Sequence, residues 1–384
     1  MRPGGGPQLR RGHNRIPLPD LEHHQWRGLR RCRHRFQQPV CGAGRTGQHP
    51  RQARQRLLPR HRRDRDHPGG PPAAGGCQPR SQRRLALQPG GGLEVLSVDW
   101  PADYSGRWTL AGSSSRRGDG LHSGSSGSVR LEPSEVDGFW VQWSDSGSEG
   151  PVRLQPGQVT DTRLCTALGF DNGRRLATVE HLLAALAGCG VTQARLIVQG
   201  EEVPLLDGSA QPWVEAIAEA GLAPLAEPPT RPVVREPLTV QEGTSFVTAL
   251  PSDRLRIAVG VDYPQAAIGR QLVSFTLTPE VFVREVAPAR TFGFREQLEQ
   301  LRAAGLIRGG SLENALVCDG DRWVNPPLRQ PDEPARHKLL DLLGDLALVG
   351  LPRAQVFAFR ASHTLHTRLA AALAASPSPE PIAS

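Results

Sequence analysis

A break in sequence character near residue 95 decides which part of this chain can fold. Residues 1 to about 95 are rich in Arg, Pro, Gly, Gln and His, and they follow neither the period of a strand nor that of a helix. Such composition buries too little apolar surface to offset the entropy of ordering, so a disordered leader is predicted. Residues 1–90 hold 20 Arg and four acids, a charge of +16 against +8 for the whole chain, which leaves the remainder at −8. Its arginines are scattered, with only two aromatic residues, Trp26 and Phe36, among them, so no nucleic-acid partner is expected. The stretch reads instead as a mis-assigned start, upstream DNA translated in the wrong frame, with the true start near Leu93, Val95 or Val98. A second disordered segment is expected at 377–384.

The remaining chain has no run of 18 apolar residues and the N-terminus has no apolar secretory core, so a cytoplasmic protein is expected. The six cysteines form no C-x-x-C pair and read as reduced thiols. Lysine occurs once, as Lys338, among 46 basic residues.

From Trp108 onward, short strand patterns alternate with helical ones. "SVRLEP", "GFWVQW" and "ARLIVQG" predict strands, and "TVEHLLAALAG" (178–188) predicts a helix capped by Thr178 and closed at Gly188. A second helix follows in "DGSAQPWVEAIAEAGL", with Ser209 as its cap and Pro212 in its first turn. The Pro-rich stretch 223–233 predicts a linker. Beyond it the plan repeats: "SFVTAL", "LRIAVGVDY", "QLVSFTLT" and "AQVFAFR" predict strands. "FREQLEQLRAAGL", "PDEPARHKLLDLLGDLALVG" and "TLHTRLAAALAA" predict helices, and "ALVCDGDRWVN" a hairpin turning at Asp-Gly. Strands and helices in mixed order argue for an α+β fold rather than a parallel doubly wound sheet, and the repeated plan suggests a duplicated architecture.

Five histidines lie outside the leader: His122, His181, His337, His363 and His366. His337 and Asp341, four apart on a helix, share one face and can hold one metal ion together; a simple helical ion pair fits the same spacing. His181 can supply a second nitrogen, or it can be a satisfied core histidine. Two nitrogens and one carboxylate oxygen make the three-ligand set of a catalytic zinc with an open position. Glu180 adjoins His181 but projects about 100° around the helix, where it can take a proton rather than bind the ion. His363 can serve as an acid oriented by Asp345, and Lys338 offers a positive charge to an anion or oxyanion. His366 can be an ordinary surface histidine and receives no role.

Seven motifs in order carry a resemblance to one family: "GLHSG" (120–124), "TVEHLLAALAG", "VPLLDGSAQPW", "ARTFGF" (289–294), "GGSLENALV", "RHKLLDLLGDL" and "SHTL". Together they resemble the zinc-dependent UDP-3-O-acyl-N-acetylglucosamine deacetylases of lipid A biosynthesis, from about Trp108 to about Ala375. The resemblance implies two similar domains, 106–226 and 234–376, each a sheet layered on helices, with the helices facing each other and the active site at their interface. It implies one catalytic Zn²⁺ on His181, His337 and Asp341, with Glu180 as general base, His363 as general acid and Asp345 supporting that acid. Thr291 falls where the family stabilises the oxyanion; Phe292, Lys338, His122 and Arg360 fall at substrate-side positions.

The implied reaction releases acetate from a nucleotide-sugar substrate whose acyl chain favours bilayers, with a monomer as the expected state. Small insertions are expected to line a passage for that chain, with candidates at "GFWVQWSDSGSEG" and at residues 295–312. The sequence departs from the family pattern at Arg360, where the family has Lys, at Ser362, where it has Gly, and at Gln297, where it often has an acid. These departures touch substrate-side details and leave the metal set whole. An inactive nucleotide-sugar or acyl-ligand binding protein on the same scaffold is the alternative reading.

Overall fold

Alternating burial along short segments builds two five-stranded sheets with one shared plan. In a computed structural model, which describes residues 98–147 and 149–376, the first sheet orders its strands Ser114–Asp119, Ser126–Glu132, Gln193–Gln199, Gly138–Trp143 and Val152–Arg153. The second orders Leu238–Glu242, Ser245–Pro251, Ala354–Phe359, Arg256–Asp262 and Arg270–Thr276. In both sheets every neighbour pairing is antiparallel except that between the third and fourth strands. The expected leader (1–95) and tail (377–384) lie outside the described residues, as do Cys32, Cys41 and Cys77.

Parallel neighbours cannot be joined by a hairpin, so each sheet requires a long crossover. The first crossover carries a small sheet of Val159–Asp161, Ala167–Gly169 and Arg175–Leu176, then helix α1 (Glu180–Gly188). Helix α2 (Gln211–Ala220) follows the strand that α1 leads into. The second crossover carries the short helix α3 (Pro279–Val281), a π-helical turn at Phe282–Val286 and a strand at Phe292–Phe294. Next come α4 (Arg295–Ala303), the hairpin Leu316–Asp319 with Arg322–Trp323, and α5 (Glu333–Ala347); α6 (His363–Ala375) follows the returning strand. The fold is therefore mixed α and β, and α1 and α5 occupy corresponding places in the two plans.

All nine residues of α1 are buried, and all of α5 except Arg336 and Lys338. A helix apolar on every side is one enclosed on every side. One continuous apolar core runs from the first sheet through these helices to the second. The two helices meet backbone to backbone at Gly344, where a Cβ would collide with the Glu180 carbonyl. That contact sets the start of α1 against the polar face of α5. Gly344 costs about 1 kcal/mol of intrinsic helix propensity relative to Ala, and the close approach explains its presence.

Several local expectations change. Thr178 is not a cap: Val179 holds that position, and Thr178 sits at φ 58° with its hydroxyl donating to Glu202 Oε1 at 2.9 Å. A long-range carboxylate has outcompeted the local cap. Ser209 precedes α2 by one residue more than expected, yet its hydroxyl accepts the Gln211 N–H at 3.1 Å. The linker 223–233 begins in structure, since Leu222–Leu225 pairs with Arg107–Leu110. The hairpin forms, but Asp319 pairs with Arg322, so Gly320 and Asp321 make its turn. "GFWVQW" is no insertion: it is the strand that lies parallel to Gln193–Gln199. Residues 295–312 do interrupt a parallel strand pair, Phe292–Phe294 with Leu316–Cys318. Cys165, Cys189 and Cys318 are free buried thiols. Among the described residues, no helix is long and apolar enough to cross a membrane.

Candidate active site

The i, i+4 spacing on α5 places His337 Nε2 3.3 Å from Asp341 Oδ1. From α1, His181 Nε2 approaches the same oxygen at 3.7 Å, and the two imidazoles stand edge to face with centroids 4.9 Å apart. The three potential ligand atoms lie within 4.8 Å of one another, and all three residues are buried. Asp341 Oδ1 and His181 Nδ1 have no hydrogen-bond partner. A buried carboxylate oxygen left without a partner is unfavourable unless a cation meets it. His337 Nδ1 lies 3.1 Å from the Ala289 carbonyl. A carbonyl only accepts, so Nδ1 carries the proton and Nε2 keeps its lone pair for a metal. Burial favours the same neutral form and pushes the His337 pKa down to about 4, against the pull of Asp341. Burial alone would raise Asp341, but His337 and Lys338 outweigh it and hold the carboxyl well below its usual range. A neutral His337, a second imidazole from His181 and an ionised carboxylate with one oxygen unpartnered fit a divalent transition metal.

Glu180 stands beside this trio at the first turn of α1. Its Oε2 accepts the Thr166 backbone N–H at 3.1 Å. Burial raises its pKa, and His363 and His181 oppose that rise. A carboxylate tuned towards neutrality is suited to accept a proton.

His363 opens α6 and donates from Nδ1 to Asp345 Oδ2 at 2.9 Å. Its Nε2 then faces the centre, 3.8 Å from Asp341 Oδ2. Burial disfavours its charge, but Asp345 and Asp341 outweigh burial and push its pKa up to about 9. His366 Nδ1 reaches the same Asp345 oxygen at 3.0 Å, and the Thr166 hydroxyl donates to the other, Oδ1. Asp345, His363 and His366 are as tightly grouped as the first trio. Both Asp345 oxygens are already hydrogen-bonded, however, so this group is a closed network rather than an incomplete ligand set.

The chain before α5 completes one wall. Glu333, fully buried, accepts the Arg290 N–H at 3.0 Å and its guanidinium Nε–H at 2.9 Å, which fixes the neighbouring Ala289 carbonyl that orients His337. Thr291 follows, with its N–H donating to the Gly208 carbonyl at 2.8 Å. Phe292 lies edge-on to His337 at 6.3 Å and to Tyr263 at 5.6 Å. Lys338 Nζ donates to Asp341 Oδ2 at 3.1 Å, so its charge falls on the outer oxygen of a candidate ligand.

Two further sequence-predicted residues have anchors of their own. The His122 turn is held by Glu202, which accepts the N–H of His122 at 2.9 Å and that of Ser123 at 2.8 Å; both His122 ring nitrogens lack hydrogen-bond partners. Arg360 turns off the second sheet at φ 52° and faces Asp262 at 3.9 Å.

Thr166, His366, Glu202 and the Ala289 carbonyl were not singled out by the sequence. His366 is buried rather than at the surface, and it carried a signal, because three residues beyond His363 on a helix is the same face. Thr166 carried none, since its partners lie 14 and 179 residues away.

Residues 107–375 match the family model described as UDP-3-O-acyl N-acetylglycosamine deacetylase. A UDP-3-O-acyl-N-acetylglucosamine deacetylase of Thermosynechococcus vestitus is 51% identical over 268 residues, covering 69% of this chain and 93% of that protein. Its counterpart in Synechocystis sp. is 48% identical over 262 residues, 67% of this chain and 95% of that protein. A probable mitochondrial UDP-3-O-acyl-N-acetylglucosamine deacetylase of Arabidopsis thaliana is 41% identical over 284 residues, 68% of this chain and 86% of that protein.

Proposed function

This chain belongs to the UDP-3-O-acyl N-acetylglycosamine deacetylase family, and from that premise we propose that it hydrolyses the N-acetyl group of UDP-3-O-(3-hydroxyacyl)-N-acetylglucosamine. The products are acetate and UDP-3-O-acyl-glucosamine, in the committed step of lipid A biosynthesis. The observation that carries this reading is the convergence of His181 from α1 with His337 and Asp341 from α5, all ligand atoms within 4.8 Å, with Glu180 and His363 alongside.

His181, His337 and Asp341 would hold one Zn²⁺, which would supply Lewis acidity towards a water molecule and the acetamide carbonyl. Glu180 takes the proton from that water as it attacks. Thr291 donates to the oxyanion that develops on the acetamide. His363, charged and held by Asp345, delivers a proton to the departing sugar amine, which lets the C–N bond break without expelling an amide anion. Lys338, Phe292, His122 and Arg360 contact the substrate, with the Tyr263–Phe292 aromatic pair offering apolar surface beside the site. No covalent intermediate is required, because the water is the nucleophile.

The reading extends to two domains, 106–226 and 234–376, built on the two matching sheets with the reaction at their junction. It includes action as a monomer in the cytoplasm, close to the bilayer that the acylated substrate favours. The complete set of ligands, base and acid argues against an inactive binding protein. The test is acetate release from the UDP-3-O-acyl-GlcNAc substrate by the zinc-loaded protein and by Glu180→Ala at matched zinc content. Release by the parent and its loss in the variant are expected; a folded, zinc-loaded parent that releases no acetate overturns the reading.

A further inference from the structure

One buried residue touches both sides of the chemistry. Thr166 has no solvent exposure. Its backbone N–H donates to Glu180 Oε2 at 3.1 Å. Its hydroxyl donates to Asp345 Oδ1 and lies 3.3 Å from His363 Nδ1. Four residues earlier in the same strap, the Thr162 hydroxyl meets that of Thr364 at 2.7 Å, next to His363 in the first turn of α6. The strap belongs to the first crossover, whereas Asp345 and His363 belong to the second sheet's helices.

We propose that Thr166 is a positioning residue that sets the base and the acid, Glu180 and His363, in one fixed relation, a role that rests on the deacetylase reading above. An Asp carboxylate turns easily about its last bond, because that torsion is broad. Asp345 Oδ2 is shared by His363 and His366, and those two bonds alone leave the carboxylate plane free to tilt between the imidazoles. The Thr166 hydroxyl pins the other oxygen. Thr166 is β-branched and enclosed, so its own χ1 is stiff and its hydroxyl is held in place. The plane of Asp345, and with it the direction of the His363 ring, is then referenced to the residue that also holds Glu180. Both donors belong to a residue without solvent exposure and are spent on Glu180 and Asp345, so the effect should fall on turnover rather than on binding.

The experiment uses the zinc-loaded full chain with Thr166→Val, which keeps the shape and the backbone N–H but removes the hydroxyl, and Thr166→Ser, which restores the hydroxyl. For acetate release, Thr166→Val should lower kcat by about 10–100-fold, the range seen when an outer hydrogen-bond partner is removed, with KM within about twofold and zinc content unchanged. Thr166→Ser should recover kcat to within about threefold of the parent. A second readout does not depend on turnover: the downfield imidazole N–H resonance of His363, assigned by its absence in His363→Ala, should shift or vanish in Thr166→Val and return in Thr166→Ser.

Parental kcat in Thr166→Val overturns the proposal, and so does a Thr166→Ser variant as slow as Thr166→Val, which would make the methyl group's packing the cause. Should the parent release no acetate, the deacetylase reading fails separately. The resonance then decides: a change in Thr166→Val reversed by Thr166→Ser upholds the positioning role, and an unchanged resonance overturns it. If Thr166→Val does not fold, Thr166→Cys, of similar size with a weak donor, replaces it under the same criteria.

Discussion

Helices α1 and α5 occupy the same place in two sheets of identical order, yet they carry different chemistry. Each ends a crossover between parallel strands and leads into the third strand of its sheet. The nine-residue α1 is buried throughout and offers polar groups only at its mouth, Glu180 and His181. The longer α5 lays His337, Asp341 and Asp345 along one face over two turns and keeps Lys338 at the edge. The helices that follow diverge as well: α6 opens with His363 and holds His366 on the same face, whereas α2 opens with Gln211 and Pro212 and serves the core. A repeated scaffold has thus been used asymmetrically. On the proposed reading, one half supplies a ligand and the base; the other supplies two ligands, the acid and the support of the acid.

The largest expected effect separates the polar neighbours of the ligands. Glu180 precedes His181 and Lys338 follows His337, so each lies next to a proposed ligand in sequence. Glu180→Gln should lower kcat by about 10²–10⁴-fold, the usual contribution of a general base, with zinc retained. Lys338→Ala should cost less and appear chiefly in KM, and steady-state kinetics of both variants checks the order. Equal losses in kcat would mean that the two positions are not used differently.

A smaller effect concerns how the helices meet. Gly344→Ala pushes a methyl into the Glu180 carbonyl, while Gly188→Ala meets the Phe282 ring at the far end of α1. Each should destabilise by about 1–3 kcal/mol by overpacking, read by urea unfolding. Only Gly344→Ala should also reduce kcat, because its collision lies at the base.

Smaller still is a pH effect confined to the first half. Glu202 is 6% exposed and joins the His122 turn to Thr178 before α1. Burial would raise its pKa, but hydrogen bonds from His122, Ser123 and Thr178 outweigh burial and hold it below the ordinary 4.5. A carboxyl with a depressed native pKa contributes stability above its unfolded pKa and loses that contribution as pH falls through its native value. The difference in thermal midpoint between the parent and Glu202→Gln should therefore be full near neutrality and shrink below pH 4.5. A difference independent of pH would contradict this. The least effect is expected from His366→Asn, a loss in kcat of less than about tenfold against 10²-fold or more for His363→Gln, since His363 alone faces the centre. Parallel kinetics on both variants measures that gap.

The repeated plan was legible because it rests on local signals. Alternation in "GFWVQW" and i, i+4 spacing in "RHKLLDLLGDL" each need only neighbouring residues, and His337 and Asp341 were readable together for that reason. The insertion reading failed for "GFWVQW", because its own alternation already marked a sheet strand. Thr178 looked like a cap by type, and only the fold brings Glu202 within reach of its hydroxyl. Thr166 joins residues far apart in sequence, and no short-range pattern encodes such a contact. What the sequence left unread is the layer that orients the site: hydrogen bonds between segments that only the crossovers bring together.

The central claim is that one ion is shared between α1 and α5. The direct measurement is zinc bound per chain after gel filtration in the parent, Glu180→Ala, His181→Ala and His337→Ala. The account predicts one zinc in the parent and in Glu180→Ala, and its loss in both histidine variants. Zinc retained at full occupancy in a folded His181→Ala would contradict it, because the ion would then belong to α5 alone.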